Sequence, residues 1–509
     1  MKIFLNKKYF SSHRGFDNKA QILIIVFLCL IAASLPVYSH EGKTDPDTFP
    51  YMNPKLSVEK RIDDLLGRMT LEEKIGQMCQ YNGYTVDSKT LVNEERVGSF
   101  LNITSAKEIN ELQELAMSET RLHIPILFGL DVIHGYSTTF PIPLAEASTW
   151  NPELVKECAA AAAKEASSQG IRWTFSPMVD IARDPRWGRI AEGAGEDTYL
   201  GIAMAKAKVE GYQGEKLSPE SDLVACAKHF VAYGAAEGGR DYNTVDISER
   251  TLREIYLPPF EAAVDAGVGT IMSAFDDLNG IPATANSFTL RSILKGELNF
   301  KGFVVSDWDA VGDLINHGVA SDSADAAEIA VNAGVDMDMV GPYHDNLAKL
   351  VNDGKVPEKI IDDAVRRVLR IKFEVGLFEN PYVDLAKSKM SLFLPQYRKL
   401  ALEEARQSIV LLKNDNNTLP LKEEMKSIAV IGPLADSKDE LLGCWHCLGE
   451  PDSVVSILDG IKKKISNGTK LVYVRGCGVN DTSTAGFAEA LDEARKADIV
   501  IMVAGEGGN

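Results

Sequence analysis

The sequence predicts an α/β protein: a closed (β/α)8-type, TIM-like barrel followed by an incomplete α/β sandwich domain. Three observations carry that prediction. Seven short apolar runs ending in polar residues recur at 97–102, 124–131, 171–180, 223–229, 270–276, 303–307 and 335–339. Helix-like segments of crossover length separate most of them, the pattern of parallel strands wound with helices. Further strand-like runs at 427–431, 470–474 and 498–503, again with helical segments between them, begin a second α/β region. Seven or eight strand–helix units in roughly 330 residues suit a closed barrel, with an open doubly wound sheet as the alternative.

In chain order, residues 1–39 read as a secretory signal peptide. Lys2, Lys7, Lys8, Arg14 and Lys19 precede the apolar run 22–35, and small residues follow at Ser34 and Ser39. The expectation is a secreted or periplasmic protein. Cys29 lies in that run, but Phe27 and Leu28 before it lack the small side chains that a lipoprotein signal needs. No other stretch approaches the roughly 18 apolar residues of a membrane span.

The barrel is expected over 55–380. After Ser57, the residues Val58, Ile62, Leu65, Leu66 and Met69 keep one apolar helix face, and Thr70-Leu-Glu-Glu73 is a capping box for a second helix. Asn151-Pro152 opens another helix that stops at Gly170, and one more runs over 357–376. A linker and connecting helix fill 381–405, and the partial sandwich domain occupies 406–509.

Composition narrows the partners. The 509 residues are 45% hydrophobic and 25% charged, ordinary for a globular chain of two or three domains. Acidic residues outnumber basic ones 73 to 54, for a formal charge of -19, which argues against nucleic acid or an anionic membrane as partner. Six cysteines beyond Cys29 are too sparse for a disulfide scaffold. Cys444-Trp-His-Cys447 has the spacing of a zinc or redox half-site but no second pair to complete four ligands, so no metal is expected and a local disulfide or two free thiols remain. One glycine in Ser427-Ile-Ala-Val-Ile-Gly432 is no nucleotide fingerprint, and no cofactor is expected.

In a barrel the working face lies at the C-terminal ends of the strands. There the sequence places Asp131, Asp180, Arg183, Lys228, His229, Asp276 and Asp307. Phe303-Val-Val305 running into Ser306-Asp-Trp-Asp309 delivers Asp307 to that rim as the leading candidate, against the plainer reading of a strand-end aspartate that caps the next helix. Lys228 and His229 are donors suited to the hydroxyls of a polyol, with structural ion pairing as the alternative for Lys228. The stretch 180–189 alternates charge so densely that most of it reads as an internal salt-bridge network, with one arginine left to reach a ligand. Trp308 offers a flat apolar face for a sugar ring, or else a core tryptophan.

Five motifs in order then carry a resemblance: Met69-Thr-Leu-Glu-Glu-Lys-Ile-Gly-Gln77, Gly129-Leu-Asp-Val-Ile-His-Gly135, Asp184-Pro-Arg-Trp-Gly-Arg189 with Glu196-Asp197, Lys228-His229-Phe230, and Val305-Ser-Asp-Trp308. From about residue 55 to its end the chain resembles the family 3 glycoside hydrolases, most of all their bacterial periplasmic β-glucosidase branch. The resemblance implies a retaining, exo-acting β-glucosidase acting on a small carbohydrate. It implies Asp307 as nucleophile, Asp131, Arg189, Lys228 and His229 as holders of the terminal sugar, and Trp308 as the aromatic beside the nucleophile. Phe275 stands where many members carry a tyrosine. In that family the acid/base follows the glycine-glutamate pair matched by Gly505-Glu506 by several residues, so the expectation is a chain that ends before it. The alternatives are a β-xylosidase or other β-glycosidase of the family, or a sugar-binding remnant with little turnover; an NAD-linked oxidoreductase has no support in the residues.

Overall fold

The computed structural model describes residues 49–422 and 425–507. The predicted signal segment 1–39, with Cys29, lies outside the described residues. Eight strands run parallel: β1 (Cys79–Asn82), β2 (Ser99–Leu101), β3 (Leu127–Leu130), β4 (Trp173–Thr174), β5 (Cys226–Phe230), β6 (Thr270–Ser273), β7 (Phe303–Val305) and β8 (Asp338–Met339). They form a five-stranded sheet, β8-β1-β2-β3-β4, and a three-stranded sheet, β5-β6-β7. Parallel bridges join the two sheets at both seams, Trp173 to Val224 and Met178 to Lys228 on one side and Val305 to Met337 on the other. The first and last strands pair directly, Cys79 against Asp338. That pairing closes the ring and excludes the doubly wound alternative, which would hold those strands apart.

β1 is the strand that the apolar runs do not include. Its sequence is Cys-Gln-Tyr-Asn, and the buried Gln80 is accommodated by donating from Nε2 to Ser99 Oγ on β2 at 2.8 Å. Its amide N–H is thus paired across the ladder while Oε1 has no partner, and a polar side chain here removes the hydrophobic signature from the sequence.

The barrel interior is filled by Leu101, Leu127, Trp173, Val224, Phe303 and Met337, and the helix Glu358–Glu374 adds Val368 and Ile371 to the same cluster. Trp173, fully buried, donates its indole N–H to Thr270 Oγ1 across the barrel at 2.8 Å. Helices begin where the caps place them. Thr70 and Glu73 exchange both bonds of the capping box, and Asn151 Oδ1 accepts from Leu154 N–H ahead of the helix Pro152–Ser168. Gly170, at φ +95°, turns the chain out of that helix in a conformation that suits glycine.

After the helix Pro395–Ser408, a second sheet of three parallel strands forms in the order β10-β9-β11, with β9 (Ser427–Ile431), β10 (Lys470–Val474) and β11 (Ile499–Met502). Ile428, Val430, Ala435 and Leu458 make its small core. A loop of this second region reaches the barrel. Leu448 N–H donates to Tyr136 O at 2.9 Å, and His134 Nε2 meets Cys444 O at 2.5 Å. These contacts bring Trp445 to the barrel mouth.

Candidate active site

A cavity of about 660 Å³ opens at the C-terminal ends of the strands, the size expected for a small-molecule site. Five of the six residues singled out in the sequence line it: Asp131, Arg189, Lys228, Asp307 and Trp308. His229 stands behind that wall, fully buried.

Asp307 follows β7 and is 8% exposed. Its Oδ1 accepts the N–H of Trp308 at 2.7 Å, which fixes the carboxylate, while its Oδ2 has no hydrogen-bond partner. Burial pushes its pKa up from 3.8 to about 6, against the pull of Arg189, Lys228 and the Trp308 amide. The carboxylate is therefore held in place with one free oxygen, beside cations but not tied to either.

Lys228 leaves β5 between two carboxylates, 3.2 Å from Asp131 Oδ1 and 3.5 Å from Glu192 Oε2. Burial opposes its charge, but Asp131 and Glu192 outweigh that and hold it protonated. Asp131 follows β3, and burial pushes its carboxyl up while Lys228 pulls it down. Its side chain is 22% exposed and faces the cavity. Structural pairing and cavity lining thus coexist in Lys228. Arg189 bonds Glu192 at 2.8 Å and 3.3 Å, and its Nη2 lies 3.1 Å from His229 Nε2. Glu192 is nearly inaccessible, yet Lys228 and Arg189 hold it below its ordinary range against burial.

The proton on His229 can be placed by elimination. A guanidinium only donates, so Nε2 must accept from Arg189 and Nδ1 must carry the hydrogen, which it donates to Asp180 Oδ2 at 2.8 Å. Burial, with Arg189 and Lys228 nearby, drives its pKa well below the ordinary histidine value. His229 Nε2 is 3.5 Å from Asp307 Oδ2 but directs no proton at it. The histidine orients Arg189 instead of offering the cavity a donor.

The charged stretch 180–189 is less of an internal network than its pattern predicts: Asp180 is buried against His229, and Arg183 is exposed. Arg186 pairs with Asp184 at 2.6 Å on the surface, and Arg189 reaches the cavity. Behind the wall, Asp180 is raised to about 7 by burial, and Asp276 is raised well above its usual value by burial and then by Asp180. Both oxygens of Asp276 and Oδ1 of Asp180 lack partners.

Sequence reasoning assigned no site role to Glu192, Tyr242 or Trp445, all of which line the cavity. Trp445, 49% exposed, places its ring 5.8 Å from Lys228 Nζ. In the sequence its flanking cysteines draw attention away from it, and both of them are free thiols here. Phe275 lines the cavity with its ring 4.9 Å from that of Tyr242, so tyrosine character is supplied beside Phe275 and not by it. Trp308 is 44% exposed at the mouth, a surface aromatic and not a core one. Among the described residues no cluster of three His, Cys, Asp or Glu side chains is arranged to hold a metal, and no helix is long and apolar enough to cross a membrane.

Comparison with known proteins agrees with this architecture. Residues 70–371 match the glycosyl hydrolase family 3 N terminal domain and residues 409–508 the family's C-terminal domain. A periplasmic beta-glucosidase of Salmonella typhimurium is 40% identical, the alignment covering 89% of this chain and 64% of the relative. A beta-xylosidase of Formosa agariphila is 39% identical over 89% of this chain and 62% of its own length. The crystal structure of a beta-glucosidase from Listeria innocua in complex with isofagomine superposes with a TM-score of 0.83 at 39% identity, covering 89% of this chain and 64% of that one. The chain thus spans a little under two thirds of the length of these relatives. With both family domains matched in order on a closed barrel and a following α/β region, the chain belongs to glycosyl hydrolase family 3.

Proposed function

We propose that this chain carries the sugar-binding barrel of a secreted or periplasmic, retaining β-glucosidase that removes terminal β-D-glucosyl residues, with Asp307 as nucleophile. The observation that carries the reading is Asp307 itself: one oxygen fixed by the Trp308 amide, the other unpartnered in a cavity that also presents Asp131, Arg189 and Lys228. A retaining glycosidase needs such a carboxylate to attack the anomeric carbon and form a glycosyl-enzyme, which water then hydrolyses. A carboxylate bonded on both oxygens would be a poorer nucleophile. Asp131 and Lys228 supply an acceptor and a donor to sugar hydroxyls, and Trp308 and Trp445 give apolar faces at the mouth. The reading assigns the nucleophile and the sugar-binding residues and leaves the acid/base unassigned. Glucose is favoured by the names of the Salmonella and Listeria relatives, and export by the pattern of residues 1–39 together with the periplasmic relative.

The second reading is a β-xylosidase, favoured by the Formosa relative. A single experiment addresses both. The chain is incubated with activated 2-deoxy-2-fluoro-β-glucoside or -xyloside, whose leaving group departs without an acid, and the peptides are read by mass spectrometry. A glucosyl adduct on Asp307 is expected. A faster xylosyl adduct would move the assignment to xylose, and an adduct on another carboxylate would overturn the role of Asp307.

A further inference from the structure

Cys444 and Cys447 flank Trp445 on the loop that the second region sends to the barrel mouth. Both thiols are free and half-buried, and both line a space of about 520 Å³ that adjoins the first cavity and shares Trp445 with it. By contrast, Cys79, Cys158 and Cys226 are buried. The loop meets the barrel through backbone groups, Leu448 N–H on Tyr136 O and Cys444 O on His134, while His446 Nδ1 is buried without a partner. Trp445 and Cys447 hold left-handed backbone, at φ +55° and +53°, a costly conformation for residues with a Cβ. The charged wall nonetheless depends on this loop: the Trp445 ring lies 5.8 Å from Lys228 Nζ, and its indole helps to hold Glu192 ionised.

The inference rests on the export proposed above, which places the chain in an oxidising compartment. We propose that Cys444 and Cys447 are a modification site, joined there as a disulfide that encloses Trp445 and His446 and clamps the tryptophan at the cavity mouth. Residues three apart span at most about 11 Å. Turns at Cys444-Trp445 and at Cys447-Leu448 shorten that span toward the roughly 4.4–6.8 Å between Cα atoms that a disulfide takes. In the step each thiol loses a proton and an electron, one S–S bond forms between them, and a disulfide oxidant of the compartment, protein or low-molecular-weight, is reduced to two thiols. Burial pushes the Cys447 thiol up to about 12 and raises that of Cys444 as well. Neither is therefore stabilised as a thiolate, unlike the thiols of Cys-X-X-Cys redox catalysts, and a bond once formed is not readily reduced. Closing a ring of four residues removes alternative loop conformations and preorganises Trp445 for the ligand.

The test equilibrates the full chain with reduced or with oxidised glutathione, alkylates and digests it, and reads the peptides by mass spectrometry. The oxidised sample is expected to give a peptide that holds both cysteines, resists alkylation and is lighter by two hydrogens. A peptide alkylated at both cysteines, or carrying glutathione, would overturn the site. In the oxidised chain limited proteolysis should cut the loop at 443–449 about fivefold more slowly. Activated 2-deoxy-2-fluoro-β-glucoside should label Asp307 with a half-saturating concentration about threefold lower and an unchanged maximal rate. A disulfide that leaves proteolysis or half-saturation unchanged would overturn the clamp and leave the glucosidase reading standing. No labelling in either sample would overturn the glucosidase reading, and proteolysis would then decide the clamp. Cys444→Ser and Cys447→Ser should each erase the difference between the two samples; a difference that persists in either variant would overturn the pairing.

Discussion

Replacing Asp307 with asparagine should stabilise the protein while abolishing its labelling, and the size of the gain should depend on pH in a defined way. The folded-state pKa of Asp307 is about 6 against an ordinary 3.8. The sign follows from proton uptake. Well below pH 3.8 the carboxyl is protonated whether the chain is folded or not, and Asp and Asn are equivalent there. Between the two values the unfolded chain has released its proton and the folded chain has not, so stability falls as pH rises. Above about pH 6 the loss is complete, about 2.2 units at ~1.4 kcal/mol each, or about 3 kcal/mol. Asp307→Asn removes that loss and keeps an oxygen to accept the Trp308 N–H. Urea unfolding of wild type and variant at pH 4, 6 and 8 should show a difference of only about 0.5 kcal/mol at pH 4 and a gain approaching 3 kcal/mol at pH 8. A gain that is flat with pH, or a variant less stable at pH 8, would refute the claim that burial of this carboxylate is uncompensated.

Fluoroglucoside labelling of Asp307 requires its ionised form, so the rate should fall about tenfold per pH unit below pH 6; a rate unchanged down to pH 4 would contradict the raised pKa. Lys228→Met removes the cation that Asp131 and Glu192 share, leaving Arg189 to Glu192 and no cation to Asp131, and thermal or urea unfolding should show a loss of roughly 3–5 kcal/mol. Burial, and then Asp180, push the Asp276 carboxyl well above its usual range, so Asp276→Asn should change stability at pH 7 by no more than about 1 kcal/mol; a loss several times larger would mean that its charge is used. His134→Ala removes the side chain that meets Phe140 O at 2.8 Å and Cys444 O at 2.5 Å, and limited proteolysis should then nick the loop at 443–449 while the barrel stays intact.

What the sequence made legible follows from where hydrophobicity and chemistry coincide. Phe303-Val-Val305 is an unbroken apolar run, so β7 and the carboxylate that it delivers could be read together. β1 could not, because its buried polar residue bonds through its amide N–H to Ser99, a partner nineteen residues on that no local pattern reveals. His229 was legible as a site residue but not in its role. Its tautomer is set jointly by Asp180 and Arg189, which approach it from a different loop. Trp445 was illegible for the same reason at longer range: it lies on a loop of the second region, held by backbone contacts to Tyr136 and His134, and backbone acceptors leave no mark in a sequence. Strand-end carboxylates can be found by period and position, whereas the groups that orient them are fixed only by tertiary packing.

The charge balance of the site gives its buried arrangement a chemical purpose. Around the cavity the cations are Arg189 and Lys228, and the carboxylates are Asp131, Glu192, Asp241, Asp313 and Asp307. Asp180 and His229 contribute a hydrogen-bonded pair behind them. Burial is the main reason that Asp307 resists ionising; Arg189, Lys228 and the Trp308 amide oppose that effect, and the charge of Asp131 adds to it. In the proposed reaction the sugar passes through an oxocarbenium-like state, so positive charge develops on the ligand directly against the unpartnered Oδ2. The buried negative charge that destabilises the resting site is neutralised at that moment. A third cation at the wall would lower the pKa of Asp307, but it would oppose the charge forming on the sugar. Thus Met272→Lys, a cavity-lining change, should let labelling persist to lower pH while slowing its maximal rate. Were the rate to rise with the lowered pKa, ionisation of the nucleophile and not stabilisation of the cationic sugar would be what the site is built to serve.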